Sequence, residues 1–394
     1  MHFHLAMSGR RGCCSGVTAS ETTAVLQRRT ATAMCHRVPA MAVCALACAT
    51  ASMPATAATF CVASESMAQQ ALDAAATNGE IDVIYFHAGT YPLVNGLHFS
   101  TQVAGDHKKV IVRGGYNPSC DTRIGYTVLD GQNLIRPLLI HLQGPDELHL
   151  EYLVFEHGTV GAASTFGPNG GGMYVQASVD AQSRLVLDSL RFLANAADGG
   201  SGGGLVVAGG VSLELRNSLF RSNTAQDGHA AGMVLYGDAH IVNNTVSGNA
   251  GLPPEPQAAF FITMAQGHTA WLGNNIFWGN PGAAHDLRLE VFGDGAFQLV
   301  ANDIGTRGGV EPVEVGDTNL DNVDPQFDMQ DTGFFDLPLG PASPLIDAGE
   351  SAPAGGLPAF DLLGALRVNG QGVDLGAYEL DRLFANGFDG LPVE

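Results

Sequence analysis

Basic residues are scarce in this sequence: 18 lysines and arginines stand against 39 aspartates and glutamates, a formal net charge of −21. So acidic a chain repels phosphate backbones and anionic lipid faces, which excludes nucleic acid as a partner and argues against anionic membrane surfaces. Long apolar runs are missing as well. From Thr59 onward nothing approaches the roughly 20 consecutive apolar residues of a membrane-spanning helix, so no transmembrane segment is expected there. There is no phosphate-cradling glycine loop, no zinc-ligand pair and no serine nucleophile elbow. Those absences remove nucleotide, zinc-hydrolase and serine-hydrolase readings.

Cysteine is rare where the folded chain would use it. Five of the seven, Cys13, Cys14, Cys35, Cys44 and Cys48, precede Thr59. Residues 1–33 have no apolar periodicity and read as an upstream extension. From Met34 the sequence has the three parts of a secretory signal: basic Arg37, an alanine-rich apolar centre, and Ala55-Thr56-Ala57 before a cleavage point near Ala58. Translation from Met34 and a signal peptide over 34–58 are therefore expected. Lipid attachment at Cys48 suits the residues less well, because Ala45 stands where leucine would be expected. Export leaves Cys61 and Cys120, an even pair read as one disulfide, with two buried thiols as the alternative. Processing also removes five arginines and one glutamate, leaving 13 basic and 38 acidic residues, formally near −25.

What the chain has in quantity is repetition. Between Leu185 and Leu235 one unit occurs twice: an alternating apolar strand, a phenylalanine, an asparagine three residues later, and a glycine-rich bend. Asn195 and Asn223 are 28 residues apart, and the register carries on to Asn249 and Asn280. Leu187, Leu215, Ile241 and Leu272 share one column with Leu150 before them, and Leu185 aligns with Leu213 and Leu148. Phe155, Phe192, Phe220, Val246 and Phe277 share another, and Gly158 takes the asparagine slot. A unit of this length cannot bury its apolar face alone and must stack on its neighbours as a solenoid. Because the apolar period is two, the coils are made of strands. Equivalent residues then lie about 4.8 Å apart, close enough for asparagine amides to form ladders and for rings to pile up. Asn217, Asn243 and Asn274 form a second column and are read as a second ladder.

Ser66 to Asn78 predicts the one helix, with Ser66 and Gln69 as a capping box and Met67, Ala71, Leu72 and Ala75 as its apolar face. A solenoid end exposes an open core and unpaired edges, so residues 59–80 are assigned as the N-terminal cap. Strands are expected at Ile81–Phe86, Thr90–Leu93 and Val110–Tyr116, with Gly89 and Gly105 at turns. The solenoid is placed at 81–316, a loop-rich closing segment at 317–380 and a tail at 381–394.

Taken together these residues resemble exported bacterial right-handed parallel β-helix proteins of the pectate-lyase-like class. The closing segment is similar to the choice-of-anchor Q domain through Asp324-Pro325-Gln326-Phe327, Ser343 to Gly349, Asp361 to Arg367 and Val373 to Glu379. Gly114-Gly115-Tyr116 through Cys120 looks like the entry coil of these proteins. Phe192 to Asn195 followed by Gly202-Gly203-Gly204 resembles the repeats of polymorphic outer-membrane proteins. The resemblance implies an all-β, right-handed parallel β-helix of roughly eight to ten coils, exported or held at the cell surface or outer membrane.

Chemistry would have to come from the outward columns. One ladder is His149, Val186, Glu214, His240 and Trp271; the other is Glu151, Asp188, Arg216, Val242 and Gly273. In pectate-lyase-like enzymes an exposed sheet of this kind carries the substrate cleft. Glu151, Asp188, Glu214 and Arg216 are thus the catalytic candidates if the chain is an enzyme, and His149, His240 and Trp271 the ligand-binding candidates. The plainer reading has Glu151, Asp188 and Arg216 neutralising one another between coils. The Asp-Pro-His-Glu of alginate epimerases is absent, as are the paired aspartates, Gly-His-Gly and Arg-Ile-Lys of polygalacturonases. Gln226 to His229 is the nearest fragment and reads as a turn. His157, His268 and His285 are scattered without metal-ligand spacing. No cofactor is required. Calcium at Asp317, Asp321 and Asp324 is left open, although they lack the glycine and terminal glutamate of a calcium hand. The expected function is non-catalytic adhesion, with a polysaccharide or a cell-surface protein as partner. The alternative is a calcium-assisted polysaccharide lyase acting on acidic polymers.

Overall fold

The structure is a computed structural model that describes residues 57–101, 109–164, 166–226, 228–252, 258–316, 318–329 and 336–380. Met34 to Thr56 of the expected signal peptide, the expected upstream extension, Gly105, Asp227, Asp317 and the tail lie outside the described residues. Among those described, four parallel sheets of ten, nine, eight and four strands (sheets A, B, C and D) build a parallel β-helix. Each coil visits A, then B, then in the central coils the short sheet D, then C, before returning to A one step along. Ser183–Asp188, Arg191–Leu193, Ala196–Ala197 and Leu205–Ala208 make one such coil.

The periodic residues form the core as their spacing requires. Leu185 and Leu187 pair with Leu213 and Leu215 in one direction and with Leu148 and Leu150 in the other. Every second side chain of sheet A therefore points inward and is shielded by its copies above and below. Phe155, Phe192 and Phe220 stack with centroids 5.2 and 4.6 Å apart and rings within 14° and 11° of parallel.

Two asparagine ladders line the corners. At the corner leaving sheet B, the amides of Asn195, Asn223, Asn249 and Asn280 donate in sequence along the axis at 2.9 Å, and Asn280 donates to Asp286 at 2.8 Å. At the A–B corner the ladder is Asn244, Asn275, Asn302 and Asn319, linked at 2.9, 2.8 and 3.0 Å. The second column expected from sequence carries a single rung, Asn274 donating to Asn243 at 3.3 Å, and is not the continuous ladder. Asn217, Asn243 and Asn274 stand one residue earlier and take φ values of 52–58°, a left-handed conformation that asparagine tolerates better than most residues. Their amides mostly serve the closing segment, donating to main-chain oxygens of Phe360, Asp374, Gly376 and Glu350.

The cap helix, α1, spans Glu65–Ala75. Ser64, not Ser66, is its N-cap, accepting from Met67 N at 3.3 Å. Ala68, Ala71, Leu72 and Ala75 form the buried face, while Met67 is exposed. Gln69 has a different task from the expected capping box. Its amide donates to His98 O at 2.8 Å and accepts from His98 N at 2.9 Å, imitating a neighbouring strand along the first edge of sheet C. Glu65 accepts from the amides of Val94, Asn95 and Gly96. Cys61 and Cys120 form a disulfide that joins residues 59 apart, tying the first strand to the second coil.

The closing segment lies along the flank of the solenoid. Leu337, Leu362, Ala377 and Tyr378 pack on Val128, Val154, Leu193 and Leu219, the outward residues of sheet B. Leu339, Leu345 and Leu375 pack on Ile276 and Ala301. Gly376 is required here. At φ 86° it approaches so closely that a Cβ would lie 2.6 Å from Thr245 Oγ1 and 2.7 Å from Ile276 Cδ1. Beneath this strap Arg191 is fully buried. It is 2.8 Å from Asp336 Oδ1 and 4.1 Å from the Tyr126 ring centre, and Tyr378 donates to the same carboxylate at 2.9 Å.

Candidate functional site

The two outward columns of sheet A have the register expected: His149, Val186, Glu214, His240 and Trp271 are consecutive partners, as are Glu151, Asp188, Arg216, Val242 and Gly273. They do not make one open surface. In the first half, charge closes on itself. Arg113 holds Glu151 at 2.8 Å, Arg216 holds Asp188 at 2.7 Å and lies 3.7 Å from Glu214, and Arg184 bridges Glu147 and Glu214. Glu147 also meets Lys109 at 3.0 Å and His149 at 2.5 Å. Burial opposes ionisation of Glu147, but the bonds from His149 and Lys109 prevail and hold it down to about 2. Val186 is covered. The four catalytic candidates therefore lie on a strip of alternating charge, each carboxylate within reach of a guanidinium.

In the second half, residues 350–355 approach the sheet. Val242 is buried, a Cβ on Gly273 would meet Pro353 at 3.0 Å, and one on Gly355 would meet His240 at 2.8 Å. Trp271, with His240 edge-on at 4.7 Å, lines a cleft of about 360 Å³ beside Gln298, Glu350 and Pro353. Of the three ligand-binding candidates, His240 and Trp271 are thus brought together, and His149 is not.

A larger groove, about 460 Å³, lies on the outer face of sheet C. Its floor holds His98 and His141, edge-on at 5.7 Å, and Phe166 meets His141 edge-on at 4.2 Å. Arg136 shapes the wall: its guanidinium donates to the carbonyls of Gly167, Asn169 and Gly170, pinning the loop that carries Phe166. Burial brings Arg136 down to about 10. Burial, then His98 and Arg136, lower His141 from its ordinary value, so its imidazole is neutral at neutral pH. None of the described lining residues is acidic. The groove escaped the sequence reading because its residues come from separate coils. The signal available was length, since the step from Gly158 to Asn195 is 37 residues where the next is 28; the surplus is this loop.

His229, expected in a turn, instead opens the strand His229–Tyr236. It stacks on Phe261 at 4.3 Å, and burial brings it down to about 4. His268 lies 3.3 Å from Asp238. Among the described residues two groups have metal-ligand geometry: Cys61, His87 and Cys120, whose thiols are consumed by the disulfide, and Asp130, Glu156 and His157.

No family model matches the chain, and no curated protein matches it. Among solved structures it is similar to pectate lyase Pel9A, with 14% identity over 82% of this chain and 97% of that one and a TM-score of 0.40.

Within the closing segment, Arg367 is buried with Glu379, Asp361 and Asp374. One guanidinium cannot balance three carboxylates. Burial, with Asp374 beside it, pushes Glu379 up to about 8, and burial raises Asp361 and Asp374. Between the ordinary carboxylate range and about 8 the folded chain keeps a proton that the unfolded chain has released. Unfolding free energy therefore falls as pH rises, by about 1.4 kcal/mol per pH unit for Glu379 across that window. The denaturation midpoint is expected to be lower near pH 8 than near pH 5.5, with Glu379→Gln flattening the slope. A variant keeping the parental slope would show that Glu379 is not the group responsible.

Proposed function

We propose that the chain is an exported, non-catalytic parallel β-helix that binds neutral glycan in the groove on sheet C. The observation that carries this reading is the groove's lining: rings from His98, His141 and Phe166 beside Arg136, Asn95, Thr159 and Ser164, with no carboxylate among the described lining residues. Rings cover the apolar faces of sugars, and a neutral imidazole such as that of His141 donates to or accepts from hydroxyls. The chain's charge of −21 supports a neutral polymer over a polyanion, which it would repel at low salt. The pairing of Glu151, Asp188 and Glu214 with arginines supports binding over cleavage, because a catalytic base needs a free lone pair. Residues 317–380 are proposed as a choice-of-anchor-Q-like segment on the motifs they carry, holding the rod at the cell surface for adhesion.

Affinity electrophoresis of the chain from Thr59, in gels containing neutral glucan, galactan or xylan or acidic pectate or alginate, tests this. Retardation by a neutral polymer is expected. His141→Ala or Phe166→Ala should weaken it about tenfold, the worth of one lost contact of about 1.4 kcal/mol. Unsaturated product from pectate or alginate, abolished by Asp188→Ala or Arg216→Ala, would replace this reading with a lyase working on sheet A. Retardation by neither class of polymer would remove the glycan reading.

A further inference from the structure

The outer face of sheet B carries one group of side chains that the strip, the groove and the strap leave unused. Asp130 and Glu156 are direct register partners on adjacent coils. On sheet A, stacked acids are flanked by arginines: Glu151 has Arg113, and Asp188 has Arg216. Here the next coil supplies Leu193. Among the described residues, the ion-pair partner of both carboxylates is His157, whose Nδ1 is 3.2 Å from Asp130 Oδ1 and 4.0 Å from Glu156 Oε1. Like charges stacked across strands destabilise a sheet unless something positive stands between them.

The three groups are built to converge. One ligand atom from each lies within 4.8 Å of the others, and all three side chains are half-buried. His157 takes a left-handed φ of 50°, which swings its ring back over the carboxylates. Its carbonyl accepts from Asn133 N at 2.7 Å and that of Glu156 from Gly131 N at 2.9 Å, so the Asp130 turn is fastened to the Glu156–His157 corner. Gly158 completes the corner, since a Cβ there would lie 2.2 Å from Gly171 O.

We propose that Asp130, Glu156 and His157 bind one first-row divalent cation of the zinc type. Two carboxylate oxygens and one imidazole nitrogen are a donor set of intermediate hardness that zinc and its neighbours accept with water completing the shell. Calcium, which takes six to eight oxygens, is poorly served by it. For the ring to ligate through Nδ1, that nitrogen gives up its proton and Nε2 carries the N–H. The ion then supplies the positive charge between the two acids. This site is independent of the glycan reading and lies on a different sheet.

The test is calorimetric titration of the chelator-stripped chain with zinc chloride and, separately, calcium chloride near pH 7.5, alongside thermal unfolding. One equivalent of zinc should bind with a rise in the unfolding midpoint, as any ligand specific for the folded state produces, and calcium should give neither. His157→Ala and Glu156→Gln should each weaken zinc at least tenfold. Both sites are partly exposed, so these variants should fold, and circular dichroism checks that they do. Failure to take up zinc, or uptake that both folded variants retain, overturns the proposal; the retained case assigns the metal to other surface histidines such as His268 and His285.

Discussion

Arg191→Ala is expected to lower the unfolding free energy by about 3–5 kcal/mol, the usual cost of breaking a buried ion pair by removing one partner. Arg191 has no exposed surface. Burial works against its charge, while Tyr378 and Asp336 outweigh burial and hold the guanidinium charged. Alanine would leave the Asp336 carboxylate buried beside Tyr378 without its counter-ion, and would remove the cation that sits over the Tyr126 ring. The loss should fall on the strap, because Asp336 and Tyr378 belong to it and Arg191 to sheet B. Urea unfolding of Arg191→Ala measures the total. The double change Arg191→Met with Asp336→Leu separates charge from packing: it should recover much of the loss, since an apolar pair carries no desolvation cost. A single variant within about 1 kcal/mol of the parent would show that the strap is not held by this pair.

Asn223→Leu should be at least as damaging. The Asn223 amide accepts from Asn195 N at 3.1 Å and Asn195 Nδ2 at 2.9 Å, and donates to Phe192 O at 2.8 Å and Asn249 Oδ1 at 2.9 Å. Leucine has the same branched shape, is larger, and makes none of these bonds. Two donors and a carbonyl would be stranded inside the coil, each costing about 1–3 kcal/mol, so a loss of about 4 kcal/mol or more is expected by equilibrium denaturation. Asn217→Ala is a suitable comparison, because it removes an amide at a corner that serves the strap and not the ladder. Equal losses at the two positions would contradict the assignment of the ladder to Asn223.

The solenoid was legible because a coil places the same residue in the same environment about every 4.8 Å, so Leu185, Phe192 and Asn195 announce their copies. The same repetition hid the difference between neighbouring asparagines. At Asn243-Asn244 and Asn274-Asn275 both the left-handed corner and the ladder slot hold asparagine, and only the backbone separates them. Where they differ, at Asn217-Ser218, the ladder slot holds serine: Ser218 Oγ accepts from Leu190 N, and Ser218 N donates to Asn244 Oδ1. The texture of the closing segment was visible, but its placement depends on partners such as Arg191 and Asp336, 145 residues apart. No local pattern encodes such pairs. Likewise the columns on sheet A follow from periodicity alone, whereas the cover over Val242 and Gly273 comes from residues 350–355. The groove on sheet C depends on a loop that interrupts the repeat, and periodicity is silent about interruptions.

The most direct measurement is amide hydrogen exchange of the chain from Thr59 with and without a saturating neutral glycan. Added protection is expected at residues 95–98, 134–141 and 166–170, which form the groove and its wall, with exchange across 184–188 and 212–216 on sheet A unchanged. Protection confined to the sheet A strip, or no protection while the glycan is demonstrably bound, would contradict the assignment of the working face to sheet C.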